Sequence, residues 1–277
     1  MLEIIPHRDV TRLRFSTRMS RALDYEVSAY LVRGVLIDTA FPAVGDSLSR
    51  WAAEARPAGA LVTHHHEDHA GNVGRLAALG IPVGLAPETL ARIERPKPIG
   101  WYRRLCWGSA PSLASMPAPF EHPALALLPT PGHSTDHHVV WDAERETIFG
   151  GDLFIGVKVR IAHPGEDIRG QVVQLRRVAA LGPKRFFDAH RGTVDDPVRL
   201  LLAKAQWMED VIGGIERLAA AGWDARAIEA EVLGRGDRTS LLSRGDYAKR
   251  NIVASVLAGI GRTHAEVERP TFGLGSQ

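Results

Sequence analysis

Two kinds of apolar pattern run along the chain. Short continuous or alternating runs at 27–32, 35–37, 60–63, 81–85, 124–128, 138–141, 147–149 and 185–188 are rich in Val, Ile, Leu and Phe and too short for helices, so they predict strands. Between them, apolar residues recur every three or four positions at 44–55, 71–79, 87–94 and 168–181, which predicts helices; Gly182-Pro183 supplies a stop signal after the last. The strands and helices alternate in two similar halves, an α/β layout. From Asp196 onward the strand pattern ceases, and 197–220, 225–233 and 247–260 read as helices. In the last of these Val253, Val256, Leu257 and Ile260 recur at helical spacing, which predicts one face packed on the body. The division expected is therefore a domain at 1–195 followed by a C-terminal helical subdomain at 196–277.

One segment fits neither pattern. Residues 95–120 are proline-rich, show no clear period, and bring Trp101, Tyr102 and Trp107 close together. A long irregular stretch in a compact domain is usually functional or disordered, and the aromatics point to a lid or substrate wall.

Composition narrows the class. With 277 residues, 45% hydrophobic and 24% charged, the chain has enough apolar material for a sizeable core. A formal net charge of +2 gives no argument for nucleic acid or membrane by itself, and no run of about 18 uncharged apolar residues exists to span a bilayer. Residues 1–15 alternate charged with apolar positions, unlike a secretory signal. Cys106 is the single cysteine, so no intrachain disulfide forms, in keeping with a cytoplasmic location; between Leu105 and Trp107 it reads as a small buried hydrophobe.

The candidate chemistry is concentrated at LVTHHHEDHAGN, residues 61–72. A short strand ends at Thr63 and a helical run of small residues begins at Ala70, so His64 to His69 lie on a strand-to-helix turn. Alternate positions there project together: His64 and His66 can grip one metal ion, Asp68 and His69 point around the corner toward a second, and His65 and Glu67 face elsewhere. Imidazole and carboxylate suit Zn²⁺, which needs about four donors. Four candidates in one turn are too many for one open site and too few for two. Further donors stand at the ends of other predicted strands: His133 in PTPGHS, Asp152 in GGD and His190 in DAH. Strand ends along one edge of an α/β sheet are where such folds collect their chemistry.

The ordered set HxHxDH, PTPGHS, GGD and DAH, with Asp38 in VLIDTAF, resembles the metallo-β-lactamase-fold hydrolase superfamily over about residues 25–195. The resemblance implies an αββα sandwich with a dinuclear site: His64, His66 and His133 on one metal, Asp68, His69 and His190 on the other, and Asp152 bridging them. Zn²⁺, two per chain, is the cofactor expected, with Fe or Mn as the alternatives. Asp68 and Asp152 are then the carboxylates at the reacting centre, a metal-bound hydroxide is the nucleophile, and Asp38 supports a ligand from behind. His190 departs from the PGHG-like turn common in such hydrolases. The substrate expected is a small ester, thioester or lactone. GDLF is similar to the glyoxalase II pattern, although that family's basic glutathione-binding signature is absent, and helices after the core resemble a LACTB2-like arrangement.

Alternatives stand beside this reading. Arg235, Arg238, Arg244, Lys249, Arg250 and Arg262 outnumber Asp237 and Asp246, which gives a nuclease or phosphodiesterase reading its foothold against that of a solvated helix face. Persulfide dioxygenases share the HxHxDH frame with a single Fe(II), and a non-catalytic binding protein on the same fold is the third alternative. Lys158 and Arg160 alternate with Val157, Val159 and Ile161, so both cations share a face that either anchors an anionic substrate or protects an edge strand. Trp101 and His137 complete the candidate substrate contacts. His7, His122, His163 and His264 read as ordinary surface histidines.

Overall fold

The apolar runs pair into two sheets in the computed structural model, which describes residues 1–260 except positions 24, 110–112, 114 and 237. Arg262, His264 and Asp237, and the part of the C-terminal helical region after residue 260, lie outside the described residues. The first sheet is ordered β1 (Leu2–His7), β2 (Val10–Phe15), β3 (Val27–Val32), β4 (Val35–Ile37), β5 (Gly59–Leu61), β6 (Val83–Gly84). Its first four strands are antiparallel neighbours, while β4, β5 and β6 run parallel. The second sheet comprises β7 (Ala126–Pro129), β8 (His138–Asp142), β9 (Thr147–Phe149), β10 (Arg185–Asp188) and β11 (Gly192–Val194), in the order β11-β10-β9-β8-β7. Only β9 and β10 pair in parallel there.

Strand periodicity explains why several of these runs are continuously apolar. In β4, Val35 and Ile37 face the second sheet while Leu36 faces the outer layer; in β10, Phe187 points inward and Phe186 outward. Between the sheets lie Tyr30, Ile37, Leu61, Val140, Phe149 and Phe187, with Phe149 stacked on Phe187 at 5.3 Å between ring centres. Outside the first sheet pack α2 (Gly45–Ala55) and α4 (Val73–Ala78), and outside the second packs α7 (Ile168–Ala180). The layers are helix, sheet, sheet, helix, as the family resemblance implies.

The 24-residue helix α8 (Pro197–Ala220) lies along α7, and with α9 (Ala225–Val232) and α11 (Lys249–Ala258) it shares one apolar cluster with the outer face of the second sheet. Leu201, Ile215, Val253 and Val256 are all inside that cluster. An antiparallel backbone bridge between Ala162 and Ala248 ties the start of α11 to the loop that follows Asp152. No helix among the described residues is long and apolar enough to cross a membrane.

Two differences from the sequence expectation have physical reasons. The N-terminal alternation forms a hairpin in full register from Leu2–Phe15 to His7–Val10, with Leu13 and Phe15 buried on the outer face of β2 and Val10 buried on the face toward the second sheet; apolar periodicity is diluted there because β1 is a sheet edge. The segment expected to be irregular contains a helix, α6 (Trp101–Trp107). Its buried face is Arg103, Cys106 and Trp107, and a buried arginine removes the helical hydrophobic signal from so short an element.

Candidate metal centre

Strand ends assemble the site. Asp38 follows β4, the His64–His69 turn follows β5, His133 follows β7, Asp152 follows β9 and His190 follows β10, all on one edge of the sandwich. The turn enters the short helix α3 (Glu67–Ala70) at once, so His66 stands just outside the helix while Asp68 and His69 lie within its single turn.

Two donor groups result. His64, His66, His133 and Asp152 form one, and Asp68, His69, Asp152 and His190 form the other; within each, one ligand atom per residue lies within 4.8 Å of all the rest. His66 Nδ1 is 2.9 Å from His64 Nε2 and 3.0 Å from His133 Nε2. Asp152 belongs to both groups through different oxygens: Oδ2 is 3.2 Å from His133 Nε2, whereas Oδ1 is 3.1 Å from His69 Nε2 and 3.2 Å from His190 Nε2. His69 Nε2 and Asp152 Oδ1 are nevertheless buried without a hydrogen bond, because they are close but out of line. Buried polar atoms are normally satisfied, and two orphaned donor atoms 3.1 Å apart are what ligands of a common cation look like. The donor set therefore fits divalent metal ions.

Electrostatics separates the ligands: burial opposes a charge on His133, but Glu166 and Asp152 outweigh it, so this ring, although grouped with His64 and His66, is raised above the ordinary imidazole range. Burial holds His64 and His66 well below the ordinary imidazole range, so both are neutral and have lone pairs to offer. Burial also opposes a charge on His69, but Asp152, Asp68 and Asp38 outweigh it and raise that ring well above its usual range. At His190 burial is likewise outweighed, by Asp152 first, and the pKa rises to about 9. Asp152, in spite of burial, is kept well below the carboxylate range by His69 and His190. The second group is thus held together by protons that a divalent cation would displace.

The supporting shell fixes tautomers. Asp38 accepts from Thr63 N–H at 2.8 Å and Thr63 Oγ1 at 3.0 Å, and its Oδ2 lies 2.8 Å from His69 Nδ1, which turns His69 Nε2 toward Asp152. Thr63 Oγ1 also lies 3.1 Å from His64 Nδ1. The DAHRG turn is capped by Asp188, whose Oδ1 accepts the His190 and Arg191 N–H groups at 2.8 Å, while His190 Nδ1 meets the Glu26 carbonyl at 3.1 Å. His137 is fully buried: its Nε2 accepts the Asp152 N–H at 3.1 Å, and its Nδ1 lies 2.8 Å from Thr130 Oγ1. It supports Asp152 from behind and does not line the cavity. Gly151, at φ 50°, allows this approach, since a Cβ there would sit 2.9 Å from His137 Nε2, and a Cβ on Gly150 would enter the Phe186 ring.

Other sequence candidates lie elsewhere. Lys158 and Arg160 are exposed and outside the cavity lining, whereas their neighbours Val159 and Ile161 line it; the alternation exists but presents its apolar side. Trp101 is 46% exposed, and Tyr102, Arg103 and Trp107 of the same helix line the cavity instead. As expected, His65 and Glu67 turn away: His65 Nδ1 pairs with Asp136 at 2.8 Å, and Glu67 forms a buried two-point ion pair with Arg103 at 2.5 and 2.7 Å.

Sequence reasoning missed Glu166, His163 and Lys204. Glu166 Oε2 lies 3.8 Å from His133 Nδ1 and accepts from Gln171 at 2.7 Å. His163, expected on the surface, is partly buried with Nε2 2.9 Å from Asp246 and its ring 6.4 Å from that of His66. Lys204, on α8, donates to the Leu153 and Phe154 carbonyls just after Asp152. Only a lysine on the apolar stripe of α8 could have signalled that contact.

Comparison with known proteins agrees with this geometry. The family model described as the metallo-beta-lactamase superfamily matches residues 23–190. Among curated proteins, a beta-lactamase-like protein 2 homolog of Caenorhabditis elegans is 24% identical over 169 residues, 59% of this chain and 54% of that one. The probable metallo-hydrolase YybB of Bacillus subtilis is 32% identical over 47% of this chain and 60% of its own length. A hydroxyacylglutathione hydrolase of Bdellovibrio bacteriovorus is 30% identical over 45% of each. The chain spans about half the length of the curated relatives it matches. Among solved structures, a metallo-beta-lactamase family protein from Thermus thermophilus superposes with a TM-score of 0.65 at 20% identity, covering 91% of this chain and 92% of that one, which shows the shared fold. With the family model covering more than half of its residues, and with both donor groups at the strand ends, the chain belongs to the metallo-beta-lactamase superfamily.

Proposed function

We propose that the protein is a metal-dependent hydrolase with a dinuclear, Zn²⁺-type centre, acting on a small ester, thioester or lactone. The observation that carries this is the division of the Asp152 carboxylate, one oxygen toward His133 and the other toward His69 and His190. His64, His66 and His133 would hold one ion, Asp68, His69 and His190 the other, with Asp152 between them. Bound there, two divalent cations supply a nucleophilic water at neutral pH and polarise the substrate oxygen. The chain contributes the rest. Thr63 and Asp38 keep the tautomers of His64 and His69, the His137 ring holds the Asp152 backbone, and the apolar neighbours of the site exclude bulk water. Burial and the surrounding acids set which histidines carry protons until metal enters.

Two of the curated relatives carry hydrolase names, which favours hydrolysis over oxygenation. The test is elemental analysis of protein purified without added metal, joined to a panel of ester, thioester, lactone, β-lactam and phosphodiester substrates. Two zinc-type ions per chain with turnover of a carboxylic ester, thioester or lactone is the expected result. One iron per chain with oxygen uptake, or turnover confined to phosphodiesters, would overturn it.

A further inference from the structure

We propose that the C-terminal helices complete an apolar acyl chamber against the metal centre, so that the substrate is an uncharged ester or thioester whose acyl group has roughly six to eight heavy atoms. This rests on the hydrolase reading above and goes beyond it to the substrate class.

The cavity beside the centre has a volume of about 180 Å³ and reaches five of the seven candidate ligands, His66, Asp68, His133, Asp152 and His190. Its remaining wall is mostly apolar. Trp107 comes from α6, Ile155 and Val159 from the segment after Asp152, and Trp207, Met208 and Val211 from two adjacent turns of α8. An apolar cavity of about 150 Å³ suffices to hold benzene, so this one accepts a group of roughly six to eight heavy atoms. A carbonyl at the ligand end would leave its apolar substituent among the side chains of α6 and α8.

The wall is built for that purpose in two further respects. Ile155 adopts φ 53°, a conformation β-branched residues avoid, and is held there by Asp188 Oδ2, which accepts its N–H at 2.7 Å, and by Arg191 Nε, which donates to its carbonyl at 3.0 Å. That backbone strain is maintained by charged groups on the adjoining turn, and the side chain lines the chamber. The cations of the lining are also engaged with protein acceptors. Arg103 is paired with Glu67, Lys204 donates to the Leu153 and Phe154 carbonyls, and Arg191 to the Ile155 carbonyl, while Lys158 and Arg160 point outward. A phosphodiester backbone would find the wrong wall here, and an alkyl or aryl acyl group the right one.

The test uses the metal-loaded full-length chain and a series of acyl thioesters of one small thiol, N-acetylcysteamine, from acetyl to dodecanoyl. Each methylene that enters the chamber should raise kcat/KM about fourfold, up to an acyl group of six to eight heavy atoms, with no gain beyond. Met208→Ala should move that maximum to acyl groups two or three carbons longer, and Val211→Phe to shorter ones. Binding is read separately through Trp107 and Trp207: methyl pentyl ketone should perturb tryptophan fluorescence in the parent and not in Val211→Phe. A kcat/KM that is flat across the series, with no response to the ketone, would overturn the chamber. If no thioester turns over but the ketone binds and Val211→Phe abolishes binding, the chamber stands and the hydrolase reading falls. Should Val211→Phe fail to fold by circular dichroism, the Met208→Ala shift decides, and an unmoved maximum would refute the proposal.

Discussion

Replacing Lys204 by Met tests the link between α8 and the metal centre, and its magnitude can be worked from the structure. Lys204 is 3% exposed, and its ammonium donates to the Leu153 carbonyl at 3.0 Å and the Phe154 carbonyl at 2.6 Å. Burial lowers its pKa to about 8, against about 10.4 for a lysine in the unfolded chain. Because the folded value is the lower one, the unfolded chain binds more protons between those limits. Stability from this group is therefore fully present above about pH 10.4 and is lost as pH falls through about 8. At about 1.4 kcal/mol per unit, the full span is about 3 kcal/mol. At pH 7 two effects oppose each other in Lys204→Met. Losing two charge-assisted hydrogen bonds costs about 3–6 kcal/mol, and no longer burying an ammonium returns about 3 kcal/mol. Phe154 keeps a second donor in the Gly156 N–H, so the net loss is at the low end of the difference, about 0–1 kcal/mol.

The decisive quantity is the difference between parent and variant at two pH values. Urea unfolding of chelator-treated proteins should show the parent gaining about 2–3 kcal/mol on Lys204→Met from pH 7 to pH 10. Other titrations occur in both chains and cancel. If the two midpoints shift in parallel, Lys204 is not a buried amine with a lowered pKa, and the inferred anchoring of the 153–154 segment fails with it. The same variant should lose activity out of proportion to its stability, since the anchored carbonyls adjoin Asp152.

Four further perturbations bear on the centre and its wall. His66→Ala removes the ring that touches both His64 and His133, so metal content should fall and turnover drop by at least about a thousandfold; full metal with unchanged turnover would refute its role. Asp152→Ala should lose one ion per chain more readily than the other, measured by equilibrium dialysis, and a variant retaining both would show that Asp152 is not shared. Arg103→Met strands Glu67 in the interior and should destabilise by about 3–5 kcal/mol, whereas adding Glu67→Leu should recover most of that; additive losses in urea denaturation would deny the pair its coupling. Cys106→Ala should keep kcat, because the thiol is buried and burial raises its pKa, which keeps it a neutral, unreactive thiol.

The sequence was most legible where chemistry and periodicity coincide. Strands 147–149 and 185–188, and the helix Pro87–Glu94, match their predicted bounds because continuous apolar runs or a Pro start leave little freedom. His64, His66, Asp68, His69, His133, Asp152 and His190 could be gathered from the chain because each stands at a strand end, and the structure brings their donor atoms into two groups. Supporting contacts were only partly legible. Asp38 is flagged by its place after a strand, but His137 behind Asp152 depends on a glycine pair that lets two backbones approach, which no period reports.

The substrate wall was illegible for a different reason, and the segment after Asp152 shows it. Alternation at 157–161 correctly separates cations from apolar residues, but periodicity alone has no sign: it says that two faces exist and not which one looks at the cleft. The sign is set by α8 and α11, which lie far later in the chain: Lys204 of α8 holds the Leu153 and Phe154 carbonyls, and the Ala162–Ala248 bridge ties the start of α11 to this segment. With those helices in place, a charged face toward the cavity would bury cations without partners, at a cost of several kcal/mol each. The chain therefore turns Val159 and Ile161 inward and leaves Lys158 and Arg160 in water. Ligand identity is thus written locally, at strand ends, whereas specificity is written in contacts between distant segments. Chains with the same ligand motifs but different C-terminal helices should accordingly share metal chemistry and differ in acyl preference.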